Sequence, residues 1–243
     1  MINSLNSNAA APSASFAEAP RLEGENNVEW LKRNLPSGDV THIVLSGARD
    51  STGFRLRIAQ SHLRHDLAPS HWSHAFLLGK VAKNAAATPI YEISLEPGAG
   101  FGFPPPTNGV QRARLERYRD VTSYPNVAVL GVPIAQSEIM KALERFQTQR
   151  AVLDAVGLIL RWLAFTWGVS STGNPLLEGL GMPSAAMLEV VFGAAGFDLT
   201  PGLESRSSCP EAIWQAAKWW HEYYERDQQQ PLTCTYCVSH DLG

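Results

Sequence analysis

A cysteine near the end of the chain has surroundings that favour thiol chemistry. Cys209 stands in the segment SSCPE, residues 207–211, directly before a strongly amphipathic helical pattern. At the start of a helix, unpaired backbone N–H groups and the helix dipole lower the pKa of a thiol, and the same N–H groups can stabilise an oxyanion. Cys209 is therefore a candidate nucleophile. The alternative is a small core residue, since most cysteines on apolar helix faces serve that purpose.

A nucleophilic thiol needs a base, and His74 is the histidine best placed to supply one. It opens the segment HAFLLG, which has the character of a strand entering the core. In a continuous strand His74 and Phe76 share one face, whereas His71 lies on the other. A strand-end histidine that bonds a loop carbonyl is an equally good interpretation of His74. His62 and His65 lie among charged residues and are interpreted as solvated.

Two blocks of elements would position these residues. We predict strands at residues 40–45, 54–58, 72–78, 89–95 and 127–134. Each is a short run that is rich in β-branched residues or alternates in polarity, and each is bounded by Gly, Pro or Asn. Beyond them, apolar residues recur every three or four positions and predict helices up to residue 226. A block of strands followed by a block of helices favours an α+β fold, with an antiparallel sheet of about five strands packed against helices.

Composition divides the chain into three parts. Residues 1–27 are rich in Ala, Ser, Asn and Pro, which predicts a disordered N-terminal segment. Residues 28–226 form the predicted α+β domain, and residues 227–243 form a C-terminal tail. That tail contains Cys234 and Cys237 in a CxxC spacing, with His240 close by. These side chains would supply three of the four ligands of a structural zinc, so a zinc-stabilised interaction protein and a redox dithiol are both alternatives.

Charge and hydropathy exclude several classes of protein. A net charge of −3 and a pI near 6.2 argue against nucleic-acid binding, which depends on clustered Lys and Arg. The most apolar run, residues 155–169, contains Arg161 and is shorter than the ~20 residues of a spanning helix, so no transmembrane segment is predicted. The N-terminus lacks the basic stretch and the following apolar stretch of a secretory signal. The chain has only three cysteines, an odd number that does not suit a disulfide-bonded secreted fold. We therefore expect a cytoplasmic protein with reduced thiols.

The order of these motifs resembles that of circularly permuted papain-like hydrolases of the NlpC-type superfamily. The branch in question includes lecithin:retinol acyltransferase-like enzymes, in which the histidine strand precedes the cysteine helix. The matching motifs are a GDV turn at residues 38–40, SH at 73–74 on a strand that ends at Gly79, YE at 91–92, and SC at 208–209. The resemblance covers residues 36–225 and implies a permuted papain-like fold.

The resemblance also implies roles for three residues. Cys209 would be the thiolate nucleophile, His74 the base, and Glu92 the residue on the next strand that orients the imidazole, with Glu96 as the fallback. The implied reaction cleaves an amide or ester bond through a thioester on Cys209, with peptidase or amidase activity favoured over acyl transfer and with no metal or organic cofactor. Alternatively, Glu92 is an edge-strand carboxylate paired with an arginine of residues 112–119.

Two further questions stay open at this point. The apolar stretch at residues 146–205 is longer than a minimal papain-like fold requires, and it fits extra core, an acyl-chain pocket or a lid. The substrate would be a peptide, another amide or a lipid ester, because pocket shape rather than sequence decides between them. A catalytically inactive papain-like binding module is the alternative to an enzyme. Its N-terminal segment or C-terminal tail would then contact a protein partner.

Overall fold

The strands form one mixed sheet. The computed structural model describes residues 16–98, 102–169, 172–226 and 232–239. Its strands are β1 (Phe16–Glu18), β2 (Thr41–Gly47), β3 (His74–Leu78), β4 (Pro89–Glu92), β5 (Gln111–Arg114), β6 (Asn126–Val132) and β7 (Thr233–Cys237). They are arranged in the order β1-β7-β6-β2-β3-β4-β5. The β1–β7 pair is parallel and the remaining pairs are antiparallel.

Helices cover the two faces of the sheet unequally. Within the described residues they are α1 (Asn27–Asn34), α2 (Ser51–Ala59), α3 (Gln136–Thr148), α4 (Ala155–Trp167), α5 (Pro183–Ala194) and α6 (Pro210–Arg226). Because strand residues alternate, Ala75 and Leu77 of β3 face the larger core under α2 to α6, which we call the helix-rich face. Phe76 and Leu78 face a smaller core under α1 and the 3-10 turn Leu115–Tyr118, which we call the α1 face. None of the helices in the described ranges is long and apolar enough to cross a bilayer.

The α+β class agrees with the sequence analysis, but the sheet has seven strands rather than about five. Two of the additional strands, β1 and β7, lie within the stretches that were interpreted as an N-terminal segment and a tail. Residues 54–58, predicted as a strand, instead belong to α2. Asp50 caps this helix by accepting a hydrogen bond from the Gly53 N–H at 2.7 Å. Residues 1–15, 227–231 and 240–243 lie outside the described residues.

The CxxC pair lies on β7, and this position decides its chemistry. Residues three apart on a strand point to opposite faces. Cys234 is accordingly buried on the helix-rich face, whereas Cys237 lies on the α1 face, where Nη1 of Arg21 donates to its Sγ at 3.4 Å. Both thiols are unpaired. The sheet separates them, so they form neither the redox pair nor the half zinc site that their spacing suggested. His240 lies outside the described residues.

Candidate functional site

A buried carboxylate organises the polar chemistry of the α1 face. Glu92, at the end of β4, has no exposed surface. Its Oε2 lies 2.8 Å from Nε2 of His74 and accepts the hydroxyl of Tyr118 at 2.5 Å, while its Oε1 accepts Nη1 of Arg117 at 3.1 Å. The His74 ring also stacks on the Tyr118 ring, with centroids 6.1 Å apart. We call these four residues the Glu92 cluster.

The strands themselves place His74 beside Glu92. Leu78 pairs with Ile90 and Leu77 with Tyr91, so Glu92 falls opposite Phe76 and diagonally next to His74 on the same face. Burial alone would raise the pKa of Glu92. The hydrogen bond from His74, the charges of His74 and Arg117, and the Tyr118 hydroxyl outweigh burial, and the net pKa lies below the ordinary value of 4.5. The carboxylate is therefore ionised at neutral pH.

Glu96, the fallback orienting residue, occupies a different position. Its carboxylate accepts Nη2 of Arg117 at 2.8 Å, and its side chain is 60% exposed. Arg117 thus joins a buried and an exposed carboxylate, and the contact of Glu92 with an arginine coexists with its contact to His74. Of the two acidic residues, Glu92 is the one that hydrogen-bonds the imidazole.

Cys209 lies on the other side of the sheet. It immediately precedes α6 in the core of the helix-rich face, and it is fully buried with Ile213 and Trp214. The Trp214 ring packs on Trp72 with centroids 5.0 Å apart, which fixes α6 against that face. This burial agrees with the alternative interpretation of Cys209 as a small core residue. The imidazole of His74 points to the opposite face.

The surroundings of Cys209 disfavour a thiolate. Burial raises its pKa to about 12, and the Ala212 and Glu211 N–H groups, which lower the pKa, offset only part of that effect. The chain before α5 closes this region, because the Gly181 N–H donates to the Arg206 carbonyl at 2.6 Å and the Met182 N–H to the Ser208 carbonyl at 2.8 Å. A Cβ at position 181 would lie 2.5 Å from the Ser208 carbonyl oxygen, so this close approach requires glycine.

The predicted pair of thiol and imidazole is therefore not assembled. No hydrogen bond joins Cys209 to His74 within the described residues. The void shared by His74 and Pro210 has a volume of about 20 Å³. That is room for about one water molecule and not for a substrate carbonyl. The catalytic roles of Cys209, His74 and Glu92 stay predictions, and the structure brings together only the last two.

Thiol labelling can measure the state of Cys209 directly. In the native protein at neutral pH we expect iodoacetamide to alkylate Cys209 at least ~100-fold more slowly than a free thiol, because burial removes both thiolate and access. His74→Ala should leave the rate unchanged. Peptide mapping by mass spectrometry assigns the label, and the same protein in urea is the positive control. Fast alkylation that depends on His74 would contradict this expectation and favour the thiol hydrolase.

A large cavity lies elsewhere, along the outer edge of β5. It has a volume of about 1060 Å³ and is lined by Gln111, Arg112, Ala113 and Arg114 of β5 together with Arg117, Pro97 and Gly98. We call it the β5 edge groove. Arg112 and Arg114 are exposed and share one face of the strand. Within the described ranges neither guanidinium has an ion-pair partner.

Sequence reasoning missed this groove because the segment QRAR is too polar to be recognised as a strand. The alternation of Arg112 and Arg114 around Ala113 was the available signal. A second feature it missed is Glu189 on α5, which is 3% exposed beside a cavity of about 530 Å³. Thr200 and Ser208 donate to its Oε1 at 2.5 and 3.1 Å. Burial nevertheless raises the pKa of Glu189 to about 7.

No protein-family model, curated protein or solved structure matches the chain. The function must therefore be inferred from the geometry of the molecule itself.

Proposed function

We propose that the protein is a binding module that holds an anionic ligand in the β5 edge groove. The observation that carries this proposal is the groove itself: about 1060 Å³ of open space, with Arg112 and Arg114 exposed on its wall and unpaired within the described residues. A volume of that size is typical of a ligand site. Guanidinium groups bind carboxylates and phosphates in a bidentate manner, so they favour an anion.

The Glu92 cluster would give the groove a rigid wall. Arg117 lines the groove, and its guanidinium is fixed by Glu92 at 3.1 Å and Glu96 at 2.8 Å. Gln111 strengthens the same wall by donating to the Ser94 and Glu96 carbonyls at 3.3 and 3.0 Å. A wall held by such contacts is preorganised, which reduces the entropy lost when a ligand binds. In this proposal the two carboxylates neutralise Arg117 and leave Arg112 and Arg114 to attract the ligand.

A thiol hydrolase of the permuted papain-like kind is the second candidate. The contact that favours it is the 2.8 Å hydrogen bond between His74 and Glu92, the pair that the family resemblance implies. The position of Cys209 argues against this candidate, because the sulfur is buried on the opposite face of the sheet from the imidazole and the pKa of the thiol is raised to about 12. The hydrolase and the papain-like fold therefore stay predictions, and the binding module agrees better with the geometry.

Titration with simple anions tests the binding proposal. We expect citrate and a fluorescein-labelled hexaglutamate to bind, and their affinity to fall as salt rises from about 0.05 to 0.3 M. Replacing both Arg112 and Arg114 with Ala should weaken hexaglutamate binding by about tenfold or more, because each charge-assisted contact contributes about 1 kcal/mol or more.

The matched control is Arg150→Ala, which removes the same charge from an exposed position outside the groove and should leave binding unchanged. The proposal fails if neither probe binds. It also fails if the double variant binds as tightly as the original protein, since the anion would then be held elsewhere.

A further inference from the structure

The outer edge of β5 carries backbone groups that the sheet does not use. The Leu115 N–H donates to the Thr88 carbonyl at 2.9 Å, and Ala113 faces Ile90 in the β4–β5 ladder. In an antiparallel pair, residues alternate between bonding the partner strand and pointing away from it. The N–H and C=O groups of Arg112 and Arg114 therefore point out of the sheet, toward the groove.

Arg112 and Arg114 combine outward backbone groups with positively charged side chains. The arginines lie two residues apart, so their guanidinium groups project from the same face at a spacing of about 7 Å. A strand added beside β5 would present its own side chains at the same repeat. Carboxylates at alternate positions would then stand directly opposite the arginines, where cross-strand pairs of opposite charge are stabilising.

Building on the proposed function, we infer that the anionic ligand is an extended acidic peptide segment that adds as a further strand to the outer edge of β5. Its backbone would bond the outward N–H and C=O groups of Arg112 and Arg114, and carboxylates at alternate positions would bind their guanidiniums. This is recognition by strand addition, in which the backbone supplies affinity and the side chains supply specificity.

The same charges disfavour a second copy of the chain as the occupant. Two β5 strands paired about a twofold axis would place arginines of one copy near arginines of the other, and opposed like charges destabilise a strand pair. Arginines on an edge strand also protect against unwanted pairing of sheets. Carboxylates on an incoming strand remove that repulsion, which makes the edge selective for acidic segments.

Backbone methylation of a synthetic peptide tests the inference. The probe is a fluorescein-labelled octapeptide that alternates Glu and Val, compared with two isomers N-methylated either at every Glu or at every Val. In an antiparallel pairing with Glu opposite the arginines, the Glu amides face β5 and the Val amides face solvent. We expect methylation at Glu to weaken binding about tenfold or more and methylation at Val to change it little. Fluorescence anisotropy gives the affinities.

Amide exchange supplies an independent readout on the protein. Binding of the unmethylated octapeptide should slow exchange at the Arg112 and Arg114 amides and leave the Ala113 amide, which already faces β4, unchanged. Arg112→Pro should bind more weakly than Arg112→Ala, because proline additionally removes the outward N–H, and an edge position tolerates proline. Thermal unfolding of both variants would confirm that they are folded.

The outcomes separate this inference from the proposed function. If both methylated isomers bind as well as the parent peptide while loss of Arg112 and Arg114 still weakens binding, strand addition is wrong and simple anion binding stands. If neither citrate, hexaglutamate nor the octapeptide binds, both fail. If the double arginine variant self-associates through the groove instead, the arginines only protect the edge and the inference is overturned.

Discussion

Replacement of Glu92 with alanine is expected to lower the free energy of unfolding by about 3 kcal/mol at neutral pH. The carboxylate is fully buried and binds His74, Arg117 and Tyr118. Its loss leaves two basic groups and a hydroxyl without their acceptor in a region of low dielectric, and breaking such a buried pair typically costs about 3–5 kcal/mol. We take the lower end because the side chains of His74 and Arg117 are 19% and 22% exposed and regain some water. Urea denaturation measures the difference.

Glu96→Ala is the matched control, because it removes the other carboxylate bound to Arg117. Its side chain is 60% exposed, so we expect a change of at most about 0.5 kcal/mol. The pKa of Glu92 is lowered in the folded protein, so its contribution is complete above pH 4.5 and disappears as pH falls through the lower folded value. The difference in stability between the original protein and Glu92→Ala should therefore become smaller in acid. Equal effects of the two substitutions at neutral pH would show that burial of Glu92 is unimportant.

The contact between His74 and Glu92 was implied by the family resemblance, and short-range strand geometry explains why it forms. Alternation put His74 and Phe76 on one face, and adjacent antiparallel strands put an acidic residue of the next strand within reach. The position of Cys209 could not be predicted in the same way. Which face of a sheet a distant helix covers depends on non-local packing, here of Trp214 on Trp72, and no local periodicity encodes it.

The fold shows the same division between local and non-local information. The β-branched run at residues 40–45 and the apolar periodicity of α3 to α6 were sufficient to predict β2 and these helices. By contrast, β1 and β7 pair over more than two hundred residues of sequence. β1 has only three residues, and the segment of β7 was interpreted as a tail with a CxxC pair, so neither strand could be recognised without its distant partner. Residues 54–58 alternate like a strand, but the Asp50 cap and the packing of Leu56 and Ala59 into the core stabilise a helix.

A second acidic residue is expected to act on stability in the opposite direction from Glu92. Burial raises the pKa of Glu189 to about 7, against an ordinary value of 4.5, and nearby Asp198 adds to the effect. Between pH 4.5 and about 7 the folded protein keeps Glu189 protonated, whereas the unfolded chain has already lost that proton. The stability therefore falls as the pH rises through this interval. Above pH 7 the fold bears a constant cost of about 3 kcal/mol for the ionised side chain.

Glu189→Gln should remove that cost. The amide oxygen can still accept the Thr200 and Ser208 hydroxyls, and no charge is buried. At pH 8 the variant should be more stable than the original protein by about 3 kcal/mol, whereas at pH 4 the two should agree closely. Urea denaturation at both pH values measures the difference.

The control for this comparison is Glu204→Gln at the rim of the same cavity. The Glu204 side chain is 66% exposed, so its substitution should change stability by no more than about 0.5 kcal/mol at either pH. The lowered pKa of Glu92 and the raised pKa of Glu189 thus act on stability in opposite directions: the contribution of Glu92 is lost in acid, and the cost of ionised Glu189 grows toward neutrality. If Glu189→Gln leaves the fall in stability between about pH 5 and pH 7 intact, Glu189 is ionised without cost and another group carries the pH dependence.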